Sequence, residues 1–106
     1  MGYAKERGKL EKLVIKIAGI AAYDEKSMAV LIDIHENYSH TIRILKNKQP
    51  DSFGDLYKNE LQEINQAKKA VKEANSDEIR QSNFVLYKDT LVRVLEKTIQ
   101  IAKAIL

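Results

Sequence analysis

The residues whose types and spacing come nearest to chemistry lie in Asp33-Ile-His35-Glu36-Asn-Tyr38-Ser-His40, a stretch that holds both histidines of the chain. A zinc peptidase needs His-Glu-x-x-His, which sets two imidazoles one helical turn apart on the same metal. Here the order is His-Glu-x-x-x-His, and five residues turn the two rings about 140° apart on a helix. The pair therefore does not chelate one ion. A carboxylate di-iron bundle needs Glu-x-x-His on two helices, but Ile32 and Asn37 occupy the positions three before His35 and His40. Glu36 and His40, four residues apart, read as an ordinary surface pair. His35 stands in an apolar stripe and is the one weak candidate for a polar or metal site. The plainer expectation is a buried, metal-free imidazole at the core edge, bonded to a backbone carbonyl or a tyrosine hydroxyl. Burial would lower its pKa and a nearby carboxylate would raise it.

Other chemistries lack their residues. The chain has no cysteine, which excludes disulfides, zinc fingers, iron–sulfur clusters and thiol catalysis. That suits a reducing cytoplasm, the expected location. Gly54 stands alone, so there is no glycine-rich phosphate loop, and no catalytic residue, cofactor or metal is expected. The net charge of +3 comes from 18 basic and 15 acidic residues. Through Lys48 there are nine basic and six acidic residues, and from Asp51 onward nine and nine. The excess sits in Lys5, Arg7, Lys9, Lys12 and Lys16. Both signs alternate along every segment, the pattern of a solvated helix face, so nucleic acid is an unfavoured partner. Lys68, Lys69 and Lys72 are the remaining basic candidates, while Arg43, Lys46 and Lys48 complement a helix C-terminus. The run LEKLVIKIAGIAA at 10–22 is split by Lys16 and falls short of the roughly 20 apolar residues of a membrane span. It reads as a buried helix.

These residues need helices to position them. Glycine and proline are scarce, and a length of 106 residues fits one domain over 1–106. The periodicity predicts helices near 3–22, 25–47, 53–74 and 77–105, in an all-α, antiparallel up-down-up-down four-helix bundle. The rival is a long helical hairpin in which the first two helices run on from about 3 to 47. Pro50 breaks the chain, with Ser52 expected to cap the next helix and Asp55 to complete its box. Asn75 and Glu78 have the same box spacing. Asp24 is the expected cap at the weakest break, where the apolar seam Leu10, Val14, Ile17, Ala21 lapses at Asp24 and Glu25. The second helix carries the stripe Met28, Leu31, His35, Tyr38, Ile42, Leu45. The third carries Phe53, Tyr57, Leu61, Ile64, Ala67, Val71 and is the most polar.

The first and fourth helices have more apolar surface than one small bundle covers. From Leu13 to Ala22 the first helix is almost without a polar side, and such a helix must be covered on more than one side. The fourth has two seams, one through Phe84, Tyr87, Leu91, Val94, Thr98, Ile101 and Ile105, the other through Val85, Val92, Leu95, Ile99, Ala102 and Leu106. The second seam is assigned outward, so Leu95, Ile99, Ala102 and Leu106, with Ile15, form the expected interface, and Ile99→Glu should yield a folded monomer. The functional expectation is a non-enzymatic bundle acting by contact with a protein partner or by self-association as a homodimer, in the manner of an adaptor, immunity protein, chaperone or inhibitor. The competing readings are a nucleic-acid-binding accessory protein with a mixed basic surface, and an enzyme or metal binder centred on His35.

Overall fold

The computed structural model describes residues 4–105, and these form four helices with no strand among them. Helix α1 spans Ala4–Ala18, α2 spans Glu25–Lys48, α3 covers 50–72 and α4 spans Asp77–Ala104. The helices pack as a bundle, 46 Å along its longest extent. Helix α1 buries Leu10, Leu13 and Ile17, α2 the whole expected stripe, and α4 its first seam as far as Thr98.

The break between α1 and α2 rules out a continuous first helix, and it comes earlier than the sequence suggests. Helix α1 stops at Ala18 instead of 22, and the expected start at residue 3 lies outside the described residues. Four hydrogen bonds hold the connection. Lys88 Nζ donates to the Ile20 carbonyl at 2.6 Å, the Gln81 side chain accepts from Tyr23 N–H and donates to its carbonyl, and Ser27 N–H donates to Asp24 Oδ1 at 2.7 Å. The last bond makes Asp24 the N-cap of α2, as its type and place suggest. Ile20 follows the helix and still reaches the core, so the seam continues past the end of the helix.

Helix α3 begins at Pro50 rather than at Ser52. Proline fits the first helical position because its missing N–H has no partner there, and the Gln49 carbonyl accepts from both Ser52 and Phe53 N–H. Ser52 is thus inside the helix and caps nothing. One wide turn, Leu56–Glu60, follows, closed by Leu61 N–H on the Leu56 carbonyl. The extra residue rotates the buried face, so Phe53 and Leu56 are buried before it and Ile64, Ala67 and Val71 after it. Tyr57 and Leu61, expected in the stripe, are left half-buried; Tyr57 instead receives Lys46 Nζ 4.5 Å above its ring. At the next break Ser76, not Asn75, caps α4, accepting from Ile79 N–H at 3.2 Å.

Across the bundle, Glu60 pairs with Lys97 at 3.0 Å and Glu63 with Arg93 at 2.5 Å, while Asn83 bonds the Ala70 carbonyl. Contact positions rise along α3 as they fall along α4, so these two helices run antiparallel. The buried Glu6 carboxylate is met by Lys48 at 3.4 Å, and Lys16 approaches Asp33 at 3.9 Å, which sets α1 antiparallel to α2. Among the described residues no helix is long and apolar enough to cross a membrane.

Candidate functional site

His35 is 3% exposed, and its Nδ1 lies 2.7 Å from the Tyr87 hydroxyl of α4. Burial lowers its pKa from 6.5 to about 4, the Lys68 ammonium pushes the same way, and a hydrogen bond to the Asn65 side chain opposes them. The ring is therefore neutral at pH 7. Its bonding is satisfied when the Tyr87 phenol donates to Nδ1 and the ring proton sits on Nε2. Burial also pushes the Tyr87 hydroxyl above its ordinary pKa. The ring is buried at the position the apolar stripe implied, and of its two expected partners, a backbone carbonyl or a tyrosine hydroxyl, it meets the second.

A second brace lies nearby. Tyr38 Oη is 2.9 Å from Thr98 Oγ1, which donates its single proton to the Val94 carbonyl at 2.7 Å. Thr98 thus accepts from Tyr38, and burial raises the pKa of this phenol too. Among the described residues no fully buried side-chain polar atom lacks a hydrogen-bond partner, as burial requires. The pairs link α2 to α4 through the core, and neither presents a group to solvent that a substrate could meet. Among the described residues no three His, Asp or Glu side chains stand close enough to share a metal ion. His40 is exposed and, as the spacing required, not beside His35.

The expected interface is corrected. Leu95 and Ala102 are fully buried and Ile99 is 7% exposed, so the seam assigned outward is core. Leu106 lies outside the described residues. Helix α4 packs against α1 on one side and α3 on the other, and the two contacts together consume both seams over its C-terminal half. Its N-terminal half differs: Val85 and Leu86 are exposed there. Of the four that are described, Ile15 alone stands out, at 75% exposed. Helix α1 leaves Ile15 and Ala18 outward, and Ala21 and Ala22 in the connection after it are exposed too, contrary to the expectation from this apolar run. Apart from Ile15, the apolar residues left outward in this run are alanines, whose exposure costs little, and the rest of the outer side of α1 is mostly charged.

Ile15 borders an open groove of about 720 Å³ between α1 and α4. Val14 and Ile99 line its apolar part, Glu11 and Glu96 lie on its two helices, and Lys103 is at one end. Glu11, Glu96 and Lys103 have no ion-pair partner among the described residues. The sequence signals Ile15 through its place in a crowded apolar run, but its neighbour across the groove required the packing of α1 on α4. The chain matches no protein-family model, no curated protein and no solved structure at a significant level.

Proposed function

We propose that this is a non-enzymatic contact protein whose α1–α4 groove receives a second copy of the chain. The observation that carries the reading is the isoleucine at 75% exposure on the rim of a groove already lined by Val14 and Ile99. An isoleucine is favoured where it can leave water, by about 25 cal/mol per Å² of apolar surface, and its neighbours in this groove complete only part of a cover.

Charge argues for a second copy as the occupant. Glu96 and Lys103 are seven residues apart, two turns along the same side of α4, and neither has an ion-pair partner among the described residues. An antiparallel docking centred on Ile99 and Gln100 sets Glu96 of each copy opposite Lys103 of the other, the self-complementary pattern of a two-fold interface. The absence of cysteine is consistent with a reducing cytoplasm as the place of action.

Sedimentation equilibrium tests this at about 100 μM, a concentration that detects a contact of micromolar affinity. Wild type should approach twice the 12.1 kDa chain mass. E96K and K103E should each shift it toward monomer, and the doubly swapped variant should recover the dimer. A monomeric wild type would reject the second copy as occupant. Dimers that are indifferent to both charge reversals would move the contact away from this groove.

A further inference from the structure

Charges that alternate along the sequence are sorted by the fold. Lys5, Lys9, Lys12 and Lys16 follow one another at intervals of four, three and four residues, which places all four on one stripe of α1, about 4.5–6 Å apart along the axis. The acids of the same helix are removed from this stripe. Glu6 is buried against Lys48, and Glu11 lines the groove on the α4 side. All four lysines are exposed, and Lys5, Lys9 and Lys12 have no ion-pair partner among the described residues. Lys16 meets only Asp33, at 3.9 Å with both side chains more than half exposed, a pairing of little strength in water.

Helix α2 completes the surface. Lys9, Lys12 and Lys16 share a hollow of about 270 Å³ with Asn37, His40 and Thr41, and Leu13 closes its floor at 8% exposed. The hollow thus combines three ammonium groups with the Asn37 amide and the exposed His40 ring.

We propose that this α1–α2 stripe binds the phosphate backbone of nucleic acid without reading its sequence. Four cations at nearly regular intervals match a ligand whose negative charges repeat along a line, and contacts to phosphate carry no base information. No Phe, Tyr or Trp lies among the residues of the hollow, so the run of stacking platforms that single strands use for successive bases is missing, His40 being the one ring there. A membrane surface fits less well, because an interfacial helix sets apolar side chains beside its lysines. Here Leu13 is buried, and Ile15, at the edge of the α1–α4 groove, is the one large apolar side chain that α1 exposes beside the stripe. The surface is separate from that groove and stands or falls without it.

The test is fluorescence anisotropy of the full chain with a labelled DNA duplex of arbitrary sequence, titrated at several salt concentrations. Four lysine–phosphate contacts give a slope of about −3.6 in log K against log salt, at roughly −0.9 per contact. K9E/K12E should weaken binding at least tenfold at low salt and flatten the slope by about 2. K58E/K72E, on exposed positions of α3, makes the same change in net charge and should leave binding within about twofold of wild type, the salt slope staying near −3.6. Circular dichroism checks that all three proteins are equally helical. Equal losses in the two variants would reduce the effect to net charge and overturn the proposal. So would a salt-independent signal, no binding at low salt, or binding to vesicles of anionic phospholipid in preference to the duplex.

Discussion

Replacing His35 with glutamine should remove a pH dependence of stability that wild type shows between neutral and mildly acid solution. In the fold the imidazole is 3% exposed and titrates at about 4, against 6.5 when unhindered. The folded-state pKa lies below the unfolded one, so between these values the unfolded chain binds the extra proton. Stability is therefore complete above about pH 6.5 and falls as the pH drops toward 4. The full difference of 2.5 pK units (6.5 − 4) corresponds to about 3 kcal/mol at 1.36 kcal/mol per unit. Between pH 7 and pH 5 the expected loss is about 2 kcal/mol, a large share of the stability of a small domain. The assay is urea unfolding followed by circular dichroism at pH 7, 6 and 5 for both proteins. Carboxylates titrate alike in the two and cancel in the difference. The reasoning is refuted if wild type and His35→Gln lose stability in parallel, or if the imidazole is found by NMR to titrate at 6.5 or above.

Two further outcomes follow from burial and capping. Leu95→Ala should cost about 2–5 kcal/mol as a cavity in a packed core, whereas Ile15→Ala should change monomer stability by less than about 0.5 kcal/mol; Ile99→Glu should unfold the chain instead of releasing a folded monomer, and denaturant midpoints decide all three. Ser76→Ala should cost about 1 kcal/mol through the lost cap of α4, and an unchanged melting temperature would place the cap elsewhere.

Much of this architecture is legible in the sequence because hydrophobic spacing on a helix reports burial directly. The α2 stripe from Met28 to Leu45 is the clearest case: it puts His35 in the core, while leaving its partner open between a backbone carbonyl and a tyrosine hydroxyl. Two features are not local and were misread for that reason. The path of the chain beyond Ala18 is held by Lys88 and Gln81, which arrive from α4, whereas the stop itself falls just before Gly19, a residue type that commonly follows a helix. The outward assignment of Leu95, Ile99 and Ala102 assumed that α4 meets its neighbours along one seam. It meets α1 and α3 on different sides, and both seams are used. The wide turn at Leu56–Glu60 likewise shifts the register of α3 by one residue, a change that periodicity alone reads as noise. The lysine stripe was hidden by linear reading, since Glu6 and Glu11 interrupt it in sequence but occupy other faces of the helix.

Photo-crosslinking tests the contact surface most directly. A benzophenone amino acid is placed at position 15 in the full chain, and at position 62, an exposed site on α3 outside the groove. On irradiation, position 15 should yield a covalent product of twice the 12.1 kDa chain mass that is lost in the E96K background, and position 62 should yield none. No product from position 15, or equal product from both positions, would contradict the assignment of the α1–α4 groove as the surface where one copy meets another.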